Sequence, residues 1–563
     1  MNDPLHIVWF KRDLRLEDHE ALSQAVAQGP SLALVIIETS LWRASRLAAQ
    51  HYHFALECYE DLHHQLASRG LGLTLIICQQ ATEAFAWLHK HLGQFNIYSH
   101  METGDEATYA RDRAMLSWCR QHDLIWKQYR QFGVVRGLKE RKAWVKQWES
   151  LMRQPRFGFE RHKVYLSMAK GRKWLLAALE TSSVQGLTQQ APDREATGTE
   201  AVLINLCERT LSIAPDFRAL NFPEHQTLGL SALLPPNRQH GGIRQANEHL
   251  ESFLTRRSAQ YRGGISSPLR APQACSRLSV YLSYGCLSLR EVVQRTREQL
   301  HMLEDPASRQ AKGLAGFLSS LHWHCHFVQK LETEPAIEWQ NMHRGYDGLR
   351  ESDFAIERFE ALKAAKTGWP MVDACVRMLE DCGWLNFRMR AMIVSVAAYP
   401  LWLHWREVGF WLARHFLDYE AGIHWSQMQM QSGTTGINTT RVYNPIKQAM
   451  EHDPEGLFVR RWLPGLRALP DHFLFEPWHA PSDLRLAASE EIRLPIVDLA
   501  QATRQAKAKL HQRRAQAEVV AETQSVIRRH ASSKRPQERY LPKVAQNTDD
   551  RAAEKKQLSF DFE

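Results

Sequence analysis

The residue type that most invites chemistry in this chain is tryptophan, with 18 among 563 residues. Indole rings offer stacking faces and stations for one-electron transfer, and they also simply fill cores. A second candidate is the run Cys275-Ser276-Arg277-Leu278-Ser279. Hydroxyls and backbone N–H groups at the start of a helix suit an anion, although the same serines also suit ordinary helix capping. Basic residues gather at Arg441, Lys447, Arg460 and Arg461, as a phosphate-facing strip or a solvated charged face. The net charge of +9 favours an anionic partner such as nucleic acid.

The nine cysteines include no CxxC pair. Buried reduced thiols are the simplest account, with an iron–sulfur cluster built from distant cysteines as the alternative. No metal site is read from the sequence. The N-terminus lacks a charged-then-apolar leader, and no apolar run is long enough to span a bilayer. These features predict a cytoplasmic protein.

The elements that must position these residues fall into two kinds. LHIVWF (5–10), SLALVIIE (31–38) and LGLTLIIC (71–78) read as buried strands, with a long amphipathic helix over roughly 48–68. Strands alternating with helices predict a parallel sheet covered on both faces, with ligands bound at the carboxyl ends of its strands. No GxGxxG follows the first strand, so a dinucleotide fingerprint is absent. From about 243 to 495 helical periodicity dominates, as in 247–261, 313–331 and 384–405. The stretch 501–530 reads as a charged, Ala-rich helix, and the polar segment after it as disordered.

Four motifs in order carry a resemblance: VWFKRDLRLEDHEAL (8–22), CSRLSVYLSYGCLS (275–288), KTGWPMVDACVRMLEDCGWLNFRMR (366–390) and VYNPIKQAMEHDPEGLFVRRWLPGL (442–466). Together they resemble the DNA photolyase/cryptochrome family over roughly residues 5–490. Lys11 and His19 depart mildly from the family's opening motif. The resemblance implies an α/β Rossmann-like antenna domain with a parallel sheet (1–135), a linker (136–240) and an all-α FAD-binding domain (241–495). The segment 496–563 would follow as a charged helix and tail.

The resemblance also implies site residues. Tyr261 matches a tyrosine near the cofactor phosphates, and Cys275, Ser276, Arg277, Leu278 and Ser279 match the phosphate-binding run, Cys275 replacing a threonine. Arg390 and Asp418 match an ion pair beside the flavin ring that would favour a reduced, anionic flavin. Glu420 matches a second acid at the flavin edge. His424 stands where photolyases usually carry asparagine. There it either gates flavin protonation, its ordinary pKa being near neutral, or packs as a neutral histidine. Trp323 matches the tryptophan that stacks on a flipped lesion. Arg441 matches a phosphate-binding arginine, with Lys447 beside it.

Departures cluster around the lesion and electron-transfer positions. Ser320 replaces a glutamate that bonds the damaged bases, and His324 replaces a flavin-contacting arginine. Asn386 and Phe387 replace a His-Asn pair, which also removes the first histidine expected of a (6-4) photolyase. Met428 and Met430 replace two tryptophans, and thioethers are poor one-electron relays. Of the family's tryptophan triad Trp405 is present as the middle member, and Ser352 stands at the outer position. Trp384, Trp402, Trp411 and Trp425 are candidate substitutes or core residues. Thr108 replaces a folate-contacting acid, so the second, antenna chromophore is left unidentified.

The expected function is light-dependent splitting of pyrimidine dimers in UV-damaged DNA by electron transfer from excited reduced FAD. The alternative is a cryptochrome-like photoreceptor, and a third reading is a non-catalytic nucleic-acid binder. The C-terminal Gln557-Leu558-Ser559-Phe560-Asp561-Phe562 resembles a bacterial sliding-clamp peptide, with Gln557, Leu558, Phe560 and Phe562 as its contacts. No membrane partner is expected, and the protein is expected to be a monomer.

Overall fold

The computed structural model describes residues 4–45, 47–69, 72–138, 140–158, 202–205, 222–437, 441–487 and 492–530. The clamp-like peptide and the polar tail before it lie outside the described residues.

β1 (Leu5–Phe10), β2 (Ser31–Glu38) and β3 (Leu73–Cys78) are buried along their whole length. Helices cover both faces of the sheet, so no polar alternation is tolerated in these strands. β4 (Phe95–His100), β5 (Ile125–Tyr129) and β6 (Val202–Asn205) complete a six-stranded sheet of order β5-β4-β1-β2-β3-β6. The first five strands run parallel, and β6 pairs antiparallel with β3. β6 comes from within the segment expected to be linker. The strand order reverses at β1/β4, which is where such sheets open a ligand crevice.

The helix predicted over 48–68 is Ala49–Ala67. Its buried side chains, among them Phe54, Cys58 and Leu62, lie in one core with Val8 and Phe10 of the sheet. That core continues into the helical half through Phe253, Tyr281, Phe317 and Leu321. A second core, holding Trp369, Trp405 and Trp425, fills the helical half itself.

The helical half contains Ile243–Thr255, Leu289–Met302, Arg309–Thr333, Pro370–Cys382, Phe387–Ala398, Trp405–His415 and Ala421–Ser432. The helical stretch read over 384–405 is two elements rather than one. It breaks at Tyr399–His404 because Pro400 supplies no N–H to the ladder, and Trp402 takes a left-handed φ of 53°. The stretch 501–530 likewise divides into Leu499–Arg514 and Ala517–His530. The second of these docks through Glu522, which accepts from the backbone N–H groups of Arg344 and Gly345 at 3.2 and 3.0 Å. No described helix is long and apolar enough to cross a membrane.

The halves are also joined by polar contacts. Buried Asp18 accepts from Arg290 Nε at 3.0 Å, from Arg290 Nη2, and from Ser288 Oγ. Cys58 and Cys286 place their sulfurs 3.5 Å apart as free thiols, and the eight cysteines among the described residues are all free.

Candidate functional site

A cavity of about 310 Å³ lies between the two cores and is lined by both. One wall comes from the loop and short helix after Ala274, which carry Cys275, Ser276, Arg277, Leu278 and Ser279. Arg277 holds a left-handed φ of 62°, a costly conformation for a non-glycine residue. Two interactions hold it there. Its guanidinium stacks 3.9 Å from the Trp384 ring, and its Nε donates to Gln239 Oε1 at 3.1 Å. Gln239 Nε2 donates back to the Arg277 carbonyl at 2.9 Å.

The opposite wall comes from the helix Arg309–Thr333. Ser320 and His324, four residues apart, share the face that lines the cavity. Tyr261 also lines it, and its hydroxyl is bonded to Ser320 Oγ at 2.8 Å. His324 Nδ1 is buried without a hydrogen-bond partner, and burial lowers its pKa to about 4, so the ring is neutral.

Charge enters through Arg390 and Asp418. Arg390 Nη1 and Nη2 each lie 3.0 Å from one oxygen of Asp418, and Nε donates to the Leu385 carbonyl at 2.7 Å. The guanidinium also sits 4.1 Å over the Phe416 ring. Burial works to raise the Asp418 pKa, but Arg390 holds it below the usual carboxylate range. Two residues on, Glu420 lines the cavity with Oε1 lacking a partner, while Oε2 accepts from Arg12 at 2.8 Å.

His424 completes this side. Its Nε2 donates to the Gly409 carbonyl at 2.9 Å, and burial lowers its pKa to about 4. Of the two readings of His424, gating and packing, this geometry favours the packed neutral ring. His424 is a neutral ring fixed by one backbone bond, and the group near neutrality in this cavity is Glu420, which burial pushes up to about 7. Sequence reasoning missed Arg12, whose charge is the counterweight to Glu420.

All the residues expected around the cofactor therefore meet in one cavity: the five of the 275–279 run with Tyr261, His324, Arg390, Asp418, Glu420 and His424. Four other expected site residues lie elsewhere. Trp323 does not line the cavity. One position before His324, it turns toward its own helix, edge-on to His326 at 4.8 Å and near Phe327 at 6.0 Å. Trp405 is buried behind the wall, donating Nε1–H to Asn341 Oδ1 at 2.7 Å. Arg441 is exposed, and Lys447 lies on a separate open groove with Arg504 and Lys507. The aromatic at the cavity rim is instead Phe387, which is 43% exposed.

A smaller cavity of about 130 Å³ opens at the carboxyl ends of the sheet strands, the place the topology predicts. Arg12, Glu38, Glu102 and Asp105 line it, with Tyr284 and Tyr419 from the helical half. Arg111 on its wall is engaged by Glu38, Glu102 and Asp112 at 3.4, 2.9 and 2.8 Å. Tyr419 also lines the larger cavity.

One trio, Asp13, His19 and His100, has metal-ligand spacing. Its atoms are already engaged. His19 Nδ1 accepts from the Leu22 N–H at 3.0 Å as a helix cap, which leaves Nε2 carrying the proton, 3.1 Å from Asp13 Oδ2. His100 Nδ1 lies 2.7 Å from the same oxygen, and the Lys11 N–H donates to the other at 2.6 Å.

A family model described as DNA photolyase matches residues 6–135, and one described as the FAD binding domain of DNA photolyase matches residues 317–512. The chain belongs to the DNA photolyase/cryptochrome family. It is 26% identical over 489 residues to the deoxyribodipyrimidine photo-lyase of Vibrio cholerae, covering 85% of this chain and 94% of the relative. It is equally 26% identical over 520 residues to Cryptochrome-2 of Arabidopsis thaliana, covering 88% of this chain and 77% of that one. The fold matches the crystal structure of an archaeal photolyase from Sulfolobus tokodaii with two FAD molecules. The TM-score is 0.65 at 18% identity, over 90% of this chain and 100% of that one. The α/β half with a parallel sheet and the helical FAD-binding half are those of the family.

The larger cavity fits such a cofactor. Apolar walls at Leu282, Leu385, Val394 and Ile423 suit a flat heterocycle. Two buried polar atoms without partners, His324 Nδ1 and Glu420 Oε1, await a polar edge.

Proposed function

We propose that this flavoprotein is a light-driven DNA lyase that splits pyrimidine dimers. The observation that carries this reading is the exposed ring of Phe387 on the rim of the cavity that holds the Arg390–Asp418 pair. A flipped base needs a π-face at the mouth of the cavity, and any aromatic ring supplies one. The name of the Vibrio relative supports the same activity.

FAD bound in the cavity supplies the excited-state electron donor. The chain's own residues hold and tune it. Ser276, Ser279 and the backbone at Arg277, which line the cavity, would hold its phosphates. Arg390 would set positive charge beside the ring system, and Asp418 keeps that guanidinium in place. His324 and His424 stay neutral and offer one ring nitrogen each. DNA is drawn by the net positive charge of the chain and by basic groups such as Arg441 and Lys447. The smaller cavity is our candidate for a second chromophore, a role that a second FAD plays in the Sulfolobus photolyase.

The competing reading is a cryptochrome-like photoreceptor, favoured by the turning of Trp323 away from the cavity. The deciding experiment is blue-light repair of a single-stranded oligonucleotide carrying one cyclobutane dimer, with the flavin chemically reduced beforehand. Light-dependent restoration of the pyrimidines establishes the lyase. No repair by protein shown to hold reduced FAD leaves the photoreceptor.

A further inference from the structure

Glu420 links two cavities through one ion pair. Its Oε1 has no hydrogen-bond partner and the residue lines the flavin cavity, yet it is only 4% exposed. Its Oε2 is taken by Arg12, which comes from the end of β1, 408 positions away in sequence. Arg12 is itself fixed by donating to the Ser283 carbonyl at 2.9 Å and to Ser283 Oγ at 2.6 Å. Arg12 lines the smaller cavity, and Tyr419, the neighbour of Glu420, lines both. The wall between the two cavities is therefore one residue thick, and its charge is one ion pair.

The groups facing this pair are unbalanced. On the sheet side Glu102 and Asp105 stand behind Arg12 and share its field. Glu102 is itself held by Arg111 at 2.9 Å. On the helix Arg309–Thr333, His324 is neutral. On the segment preceding Glu420, Asp418 is committed to Arg390, and Tyr419 is a neutral phenol. The hydroxyl of Ser283 completes the surroundings, and its Oγ donates to the Tyr419 carbonyl at 2.9 Å. With Glu102 held by Arg111, Arg12 is left facing both Asp105 and Glu420, and one shared cation does not keep two buried carboxyls fully ionised.

We propose that Glu420 carries an exchangeable proton at Oε1 against the cofactor in the flavin cavity, and that Arg12 is the positioning residue that governs when it is present. Protonated, Oε1 donates a hydrogen bond and removes a negative charge from beside the cofactor, which favours an added electron there. Ionised, it only accepts. Burial pushes this carboxyl up to about 7, with Arg12 pulling the other way, so the switch falls within the working range of a cell. Because Arg12 faces the smaller cavity, a ligand there that engages the guanidinium draws it from Glu420 and raises the carboxyl's proton affinity. The two cavities are then linked, and the coupling is reciprocal. This proposal rests on reading the larger cavity as the FAD site.

The test is a pH titration of the holoprotein by infrared difference spectroscopy, following the stretch of a protonated, buried carboxyl group. Wild type is expected to show the band at low pH and lose it near neutrality, and Glu420→Gln is expected to lack it. Arg12→Met should move the midpoint upward by about one unit or more, and Arg12→Lys should return it most of the way. FAD retention by each purified variant reports separately on the cavity assignment, and a thermal melt reports on folding. A carboxyl band unchanged in Glu420→Gln, or a midpoint indifferent to Arg12→Met in folded, FAD-loaded protein, overturns the proposal. Loss of FAD from wild type overturns the cavity reading instead.

Discussion

Trp425 donates its indole Nε1–H to the hydroxyl of Tyr419 at 3.1 Å, so the wall of the larger cavity is bonded directly to the aromatic core behind it. Trp425 continues edge-on to Trp405 at 5.9 Å. It also meets Phe410 at 5.2 Å, and Phe410 meets the half-exposed ring of Trp339 at 5.9 Å. Met428 lines the cavity where the family usually has a tryptophan, so the first indole behind the wall is Trp425.

This arrangement makes Trp425 the expected entry of electrons during photoreduction. Trp425→Phe should slow light-driven reduction of bound FAD by an order of magnitude, measured by absorbance under blue light with an external thiol. Dimer splitting by chemically pre-reduced protein should be unchanged. Trp384, which lines the cavity but stacks on Arg277, should serve as the contrast. If Trp384→Phe abolishes photoreduction and Trp425→Phe does not, the route runs elsewhere.

The Arg390–Asp418 pair makes a different demand. Asp418 is 6% and Arg390 23% exposed at the side chain. Asp418→Asn leaves a largely buried guanidinium without its anion, at a cost near the low end of the buried-pair range, about 3 kcal/mol. The expected signature is a lowered melting temperature together with FAD lost on gel filtration. A variant that melts like wild type and keeps its flavin would show that Arg390 needs no counterion.

Much of this site is legible in the sequence, because the 275–279 run and the Arg390 and Asp418–His424 segments are local motifs whose backbone brings their side chains to the cavity. What is not legible depends on distance or on rotation. Nothing local marks Arg12 as the partner of Glu420, since the pairing arises only when β1 docks on the helical half. Trp323 has the right type and spacing, yet the helix turns Ser320 and His324 inward and leaves it outside. In the sheet, β1 to β3 stand out as unbroken apolar runs. β4 carries Asn96 and Ser99, and β5 is an edge strand with Lys127 and Gln128 half-buried or exposed, so their polar residues hide them.

The joint between the halves should be acid-sensitive at Asp18. Burial would raise its pKa, but Arg290, Arg15 and Ser288 lower it overall. A depressed folded-state pKa means that the stabilisation is present above the unfolded value and is lost as pH falls through the folded one. Asp18→Ala should cost about 3–5 kcal/mol at neutral pH by stranding Arg290. The deficit relative to wild type should shrink below about pH 4, where the unfolded carboxyl is already protonated. Urea denaturation of both proteins across pH checks this, and a deficit that does not change with pH would assign the effect to packing alone.

Phe387 separates repair from sensing most directly, because it is a large apolar ring 43% exposed at a cavity whose other lining residues are buried or half-buried. An exposed aromatic at the mouth of the proposed flavin site offers a face on which an unstacked base can stack. Removing one base-stacking ring typically costs about 1–3 kcal/mol, roughly five- to 150-fold in affinity. Phe387→Ala should therefore weaken binding of a dimer-containing oligonucleotide by that factor. Binding of undamaged DNA, held by phosphate contacts alone, should be little changed. Phe387→Trp should keep the preference, since it restores a π-face of at least equal area. Fluorescence anisotropy with matched damaged and undamaged strands measures both affinities. Equal losses on the two strands would place Phe387 in general DNA contact, and no loss on either would remove it from the DNA-facing surface.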